Sequence, residues 1–196
     1  NIGSLLKLMM SLSDSLRFMK TRGFNTAKFY ECKTKRELKS AFDKLSKPVV
    51  LKVDSKEHTH KTEIKGVVMD VNDKRTALKE FDRLMLLGER GVVQQQVKGM
   101  ELIMGLTEDP SFGTLIMFGV GGIFVELLKD VSFRACPIKR KDAKEMIEEL
   151  EAKAVLEGFR GFKVNKKTLK SLLVKLCSFA KKEKVKTLDL NPVIFK

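Results

Sequence analysis

A chain of 196 residues can form one domain, or one domain split into two lobes around a cleft. Its 43% hydrophobic and 33% charged residues exclude a disordered chain, and no apolar run approaches the ~18 residues of a membrane span. The net charge of +14 implies anionic company (nucleotide, nucleic acid, membrane surface or an acidic partner subunit) without choosing among them.

The first helix is predicted over 4–22, where Leu5, Leu8, Met9, Leu12, Leu16 and Met19 recur at helical spacing and Gly23 stops the pattern. A second amphipathic helix follows at 33–45, with Thr34 and Glu37 fitting a capping box. Pro48 ends it, and "PVVLKV" reads as a buried strand. The stretch "DSKEHTHKTEIKGV" is expected as a loop, "GVVMDV" as a strand, and "DKRTALKEFDRLMLLGER" as a helix capped by Asp73 and ending near Gly88. From Gly91 the pattern becomes strand-like: "GVVQQQV", "MELIMGLTED" and "GTLIMFGV", then the turn "GVGG" leading into "IFVELLKDVSFRACP". Helices are predicted over 140–157 and 166–183, the latter with Leu169, Leu172, Leu173, Leu176, Phe179 and Ala180 on one face, before a last strand, "VKTLDLNPVIF". The outline is α+β, with a small first lobe over 1–90 and a larger one over 91–196. The surplus lysines are spread among acids, which reads as solvated helix faces; such a surface is also a habit of heat-adapted proteins.

Cys32, Cys136 and Cys177 are widely spaced and form no C-x-x-C, which argues for a reducing, cytoplasmic setting without a disulfide framework. No signal peptide is evident.

Several residues ask for chemistry. Lys52 interrupts an apolar strand: either it snorkels to water or it is aimed at a phosphate as a point charge. Glu101 and Glu126 interrupt later strands, as solvent-facing acids or as acceptors for a ribose hydroxyl or a metal. Asp189 and Asn191 are two apart on a strand and share a face. Their oxygens suit a hard cation, while Asn-Pro by itself is also a turn signal. "GVGG" (119–122) matches neither phosphate-loop pattern and in isolation reads as a hairpin turn. His58 and His60 lack metal-ligand spacing; an imidazole can accept a phosphoryl group, and a plain surface loop is the alternative.

In this order, "KPVVLKV", "SKEHTHKTEIKGV", "GVVQQQVKGMELIMGLTEDPSFGTLIMFGVGGIFVELLKDVSFRACPI", "LEGFRGF" and "LDLNPV" closely resemble the β subunits of ADP-forming acetate–CoA ligases, the ATP-grasp subunits of the NDP-forming acyl-CoA synthetase superfamily. The resemblance covers about residues 14–195 and implies an ATP-grasp fold, two α+β lobes with the nucleotide between them. It implies Lys52 on the nucleotide phosphates, Gln94, Gln95, Gln96 and Val97 near the base, Glu101 on the ribose, Gly121 and Gly122 at the nucleotide, and Asn191 with Asp189 on Mg²⁺. His60 stands at the family's phosphoryl-carrying histidine, and His58 has no counterpart. The implied cofactors are ATP/ADP and Mg²⁺. The implied partner is a CoA-binding α subunit in an α2β2-type assembly, with no nucleic acid and no membrane.

The family pattern "SPDILHKSDxGGV" differs here at Lys56, which replaces proline, and at Lys65, which replaces the first glycine. The family continues into a strand ending "DAR", whose aspartate is a second Mg²⁺ ligand, whereas this sequence closes on "NPVIFK". Mg²⁺ is then expected to be held weakly, or by Asp189 or Glu126. The expected function is phosphoryl transfer between acyl-CoA chemistry and ADP. The alternatives are a non-catalytic or truncated ATP-grasp domain, and a nucleic-acid-binding protein supported by charge alone.

Overall fold

The computed structural model describes residues 10–54, 65–122, 129–158 and 161–196, which fall into two units divided between Val97 and Lys98. The first unit opens with helix α1 (Leu12–Thr21). Its N-cap Ser11 accepts from the Asp14 N–H, satisfying one of the donors that every helix start leaves open. Of the helix predicted over 4–22, Leu5, Leu8 and Met9 lie outside the described residues. Strand β1 (Phe29–Cys32) follows, a four-residue element for which the sequence carries no readable period.

Helix α2 (Lys35–Asp43) carries the predicted capping box: Thr34 Oγ1 accepts from the Glu37 N–H at 3.2 Å, and the Glu37 carboxylate accepts from the Thr34 N–H at 3.1 Å. Then come β2 (Val49–Asp54), β3 (Val67–Val71), α3 (Lys74–Met85) and β4 (Arg90–Gln95). The Asp73 cap holds, its carboxylate accepting from the Thr76 N–H at 2.9 Å.

These four strands form an antiparallel sheet in the order β1-β4-β2-β3. Period-two alternation turns Val49, Leu51, Val53 and Val93 to one side, where they pack with Leu38, Phe42, Phe81 and Leu84 of α2 and α3. Because β4 is hydrogen-bonded on both edges inside this sheet, "GVVQQQV" belongs to the first unit. The boundary expected at 90/91 therefore falls at 97/98.

The second unit contains β5 (Met100–Asp109), β6 (Gly113–Val120), β7 (Val131–Ala135), α4 (Arg140–Glu148), α5 (Lys166–Glu183) and β8 (Thr187–Phe195). Its sheet is antiparallel in the order β7-β6-β5-β8. Leu102, Met104, Leu106, Ile116 and Phe118 are buried on the face covered by α4 and α5, with Met146, Leu169, Leu173 and Leu176. The helix predicted over 140–157 is broken. Leu150 is extended, and a 3₁₀ turn over Glu151–Glu157 follows. The reason is long-range: the buried Asp130 carboxylate accepts from the Glu151 N–H at 3.0 Å and the Ala152 N–H at 2.8 Å, so it caps a second start.

The expectation of no disulfide is overturned. Cys136, just past β7, is bonded to Cys177 on α5. The packing of α5 over the sheet joins two residues 41 apart that the sequence showed only as widely spaced. Cys32 is free and buried, and burial pushes its thiol up to about 12.

Candidate functional site

Directly paired residues in an antiparallel sheet share a face. Lys52 pairs with Val92, Val50 with Gln94, and Asp54 with Arg90; Glu31 of β1 also pairs with Val92. Lys52 therefore lies on the face turned away from α2 and α3, half-buried between Val50 and Asp54. The chain's sequence singles out Lys52 on this face but not the two acids near it. Asp54 is fully buried, and its carboxylate accepts from the Leu12 N–H at 2.6 Å, the Ser13 N–H at 3.3 Å and the Ser13 hydroxyl at 2.6 Å. A carboxylate is favoured there, because the start of α1 presents unpaired N–H groups and the positive end of its dipole.

Glu31 accepts from Ser13 Oγ at 3.0 Å, Arg17 at 2.7 Å and Arg90 at 3.3 Å. Burial raises its pKa, but those donated hydrogen bonds prevail and hold it below the usual carboxylate value. An acid at the end of the buried run "PVVLKVD" was the available signal for Asp54; it is hidden in sequence because it also opens the histidine stretch.

The three glutamines have different surroundings. Gln94 is buried on the Lys52 face. Gln95 donates its N–H to the Lys28 carbonyl at 2.9 Å, and Gln96 donates its own to the Pro48 carbonyl at 3.1 Å. The Gln96 side chain is already engaged at both ends: it accepts from the Asp70 N–H at 2.8 Å and donates to the Asp70 carboxylate at 2.9 Å. That pair holds Asp70 at φ +57. Val97, half-buried, closes the unit.

Lys65, which replaces a family glycine, takes φ +53, and its carbonyl accepts from Arg83 at 2.9 Å. His58 and His60, and with them the catalytic expectation for His60, lie outside the described residues, as does Glu126.

In the second unit the donors gather on the face opposite the helices. Glu101 is exposed on β5, next to Ile194 of β8. Asp189 pairs with Gly105, and the register between β5 and β8 slips between Leu102 and Met104. Asn191 and Pro192 thus oppose the single residue Ile103, a bulge that leaves Asn191 exposed on the side of Asp189.

Gly121 donates its N–H to the Glu101 carbonyl at 2.8 Å, and a Cβ there would lie 3.0 Å from that oxygen. Gly122 takes φ +67. The donor set of Asp189 and Asn191, one carboxylate and one amide oxygen, fits a hard cation that fills its remaining positions with water and phosphate. Among the described residues no group of three or more histidine, cysteine or acidic side chains forms a closed metal cage.

Residues 7–196 match the model of the ATP-grasp domain. The chain belongs to the ATP-grasp family. This ATP-grasp chain is 39% identical over 183 residues to the ADP-forming acetate–CoA ligase II of Archaeoglobus fulgidus, spanning 92% of the chain but only 27% of that ligase. It is 34% identical over 192 residues to the beta subunit of ADP-forming acetate–CoA ligase I of Pyrococcus furiosus, spanning 92% of the chain and 83% of the subunit.

Its structure superposes with a TM-score of 0.85 and 31% identity on acetyl-coenzyme A synthetase 1 of Ca. Korarchaeum cryptofilum, solved with coenzyme A and Ca-AMPCP; the match covers 94% of this chain and 86% of that one. In another structure of that synthetase, holding Mg-AMPPCP, the phosphohistidine segment points towards the nucleotide binding site. The α+β ATP-grasp fold implied by the sequence resemblance is the fold this chain has. Among the described residues no helix is long and apolar enough to cross a membrane.

Proposed function

We propose that this ATP-grasp chain is the nucleotide-binding part of an ADP-forming acyl-CoA ligase of the acetate–CoA type, working with a CoA-binding α subunit in an α2β2-type assembly. The observation that carries the reading is the exposed face holding Glu101, Asp189 and Asn191, in a chain that aligns over 92% of its length with ADP-forming ligases. The overall reaction is acyl-CoA + ADP + phosphate ⇌ acid + ATP + CoA.

His60 is the carrier. Its neutral imidazole forms a P–N bond as the bond to the donor histidine of the companion subunit breaks. A terminal phosphate oxygen of ADP then attacks that phosphorus, the P–N bond breaks with its electron pair returning to nitrogen, and His60 leaves as the neutral imidazole. Lys52 places a point charge at the phosphates on a rigid strand, which lowers the cost of bringing two anions together. Glu101 accepts from a ribose hydroxyl, and Gln94, with Gln95 and Val97 beyond it, lies by the base. Gln96 supports them through Asp70. Gly121 brings its backbone hard against Glu101, leaving Gly122 to approach the nucleotide. Mg²⁺, when bound, supplies further charge neutralisation, and Asp189 and Asn191 are the residues that would hold it.

The test is phosphoryl transfer from γ-labelled ATP in the presence of Mg²⁺ and the CoA-binding subunit. Label is expected on the wild-type chain and on His58→Ala, and absent from His60→Ala. Label retained by His60→Ala would remove His60 as the carrier, and tight ADP binding with no label on any variant would make the chain a nucleotide-binding domain without turnover.

A further inference from the structure

The cysteines of this chain sit in two different settings. Cys32 is buried in the core of the first unit, and burial pushes its thiol up to about 12. A thiol held protonated so far above neutrality is inert as a nucleophile. Cys136 and Cys177 are joined to each other, and they border open space.

Beside the bridge lies a cavity of about 670 Å³, a volume in the range of small-molecule sites. It is lined by both cysteines and, from the end of α5, by Ser178, Lys181 and Lys182. The two sulfurs are not equivalent. Cys177 is buried on α5, whereas Cys136 is half-buried just past β7, so an incoming thiolate meets Cys136 first. The backbone of Cys136 is fixed independently of the bridge. Its N–H donates to the Thr114 carbonyl at 2.7 Å, which continues the pairing of β7 with β6. Cys136 thus keeps its place when the S–S bond opens.

The charge around the cavity has one sign. Lys181 and Lys182 are exposed, no acid is among the lining residues, and Glu183, the only acid of α5, lies outside them. Both lysines complement the C-terminal end of the helix dipole, which accounts for them as parts of the helix. Beside a disulfide they have a further effect. Exchange proceeds through attack by a thiolate, and positive charge at the mouth of a cleft raises the local concentration of anionic reactants. Lysine is a point-charge binder of phosphate, which favours a thiol that carries phosphate groups.

We propose that the Cys136–Cys177 bridge is a thiol–disulfide exchange site for an anionic, phosphate-bearing thiol, which becomes bonded to Cys136. The thiolate sulfur attacks Cys136 Sγ and forms a new S–S bond. The Cys136–Cys177 bond breaks, its electron pair goes to Cys177 Sγ, and that thiolate takes a proton from water. The incoming sulfur is oxidised and Cys177 is reduced, so no other oxidant or reductant enters. Attack by Cys177 on the mixed disulfide reverses the step. The ligase reading supplies a probe of this class, because free coenzyme A is a product of the reaction proposed above. The bridge and its cavity carry the inference independently of that reading.

The experiment incubates the oxidised chain, at low and high salt, with coenzyme A or with pantetheine, which has the same thiol without the phosphates. Samples are quenched in acid, free thiols are alkylated, and the adduct is located by peptide mass. Coenzyme A is expected on Cys136, with Cys177 and Cys32 alkylated. It is expected to react about tenfold faster than pantetheine at low salt and to lose that advantage at high salt. The double variant Lys181→Gln, Lys182→Gln is expected to slow coenzyme A about tenfold and pantetheine less than about threefold. The retained pantetheine rate reports that the fold and the bridge are intact.

Equal rates for the two thiols on the wild type at low salt would overturn the inference. So would an adduct on Cys177 or Cys32, or a bridge that neither thiol opens. Each of these outcomes leaves the ligase reading standing, since that reading is tested by the phosphoryl label on His60.

Discussion

Asp54 shows how a single buried charge is made tolerable. Its carboxylate has lost all contact with water and receives three hydrogen bonds from Leu12 and Ser13, with Arg90 Nε 4.0 Å away. Replacing it leaves those donors buried and unanswered, which is the expensive case for hydrogen bonding. Asp54→Ala is expected to destabilise the first unit by about 3 kcal/mol, read from urea unfolding. A loss under about 1 kcal/mol would mean that water replaces the carboxylate.

Lys65 makes the opposite case. It holds φ +53, where a side chain is strained and glycine is not. Lys65→Gly is therefore expected to stabilise by about 1 kcal/mol in the same assay, and a destabilised variant would show that the lysine side chain contributes more than its backbone costs. Neither residue's role could be read locally. The partners of Asp54 are 41 and 42 positions away, and a left-handed lysine leaves no mark in composition.

At the level of elements, caps and periods carried most of the information. The Thr34 capping box, the Asp73 cap and the span 166–183 all lie where neighbouring residues alone dictate them, because capping bonds and helical faces join positions three or four apart. What failed was set from elsewhere. Four-residue β1 exists because β4 offers it an edge, and the helix predicted over 140–157 breaks because Asp130 caps its second half.

The candidate site has the same division. Alternation put Asp189 and Asn191 on one face, but the bulge opposite Ile103, which adds Pro192 beside Asn191 and returns Val193 to the register of Leu102, comes from the pairing of β8 with β5. The contact of Gly121 with the backbone of Glu101 follows from the same packing. Gly121→Ala would press a methyl 3.0 Å from the Glu101 carbonyl. It is expected to destabilise by about 1–3 kcal/mol and to weaken nucleotide binding, measured by calorimetry with ADP. Unchanged binding would detach Glu101 from the nucleotide.

For the molecule as a whole, the disulfide is the largest departure from the sequence expectation. It closes a segment of 41 residues across the second unit, and a bridge of that span removes about 4 kcal/mol of chain entropy from the unfolded state. Reduction, or Cys136→Ser with Cys177→Ser, is expected to lower the melting temperature of the second unit and leave that of the first unchanged. A melt insensitive to reductant would show that packing alone holds α5 in place.

The sequence by itself determined the helix caps, the amphipathic faces, the α+β class and, through ordered motifs, the ATP-grasp family. Each depends on residues near one another in the chain. Only the tertiary structure decided that β4 is central to the first sheet, that Asp54 and Glu31 face the side of Lys52, that Gln96 is occupied by Asp70, and that Cys136 meets Cys177 on α5. Those facts depend on strand order, register and burial, which bring together residues whose separation along the chain carries no signal of their contact.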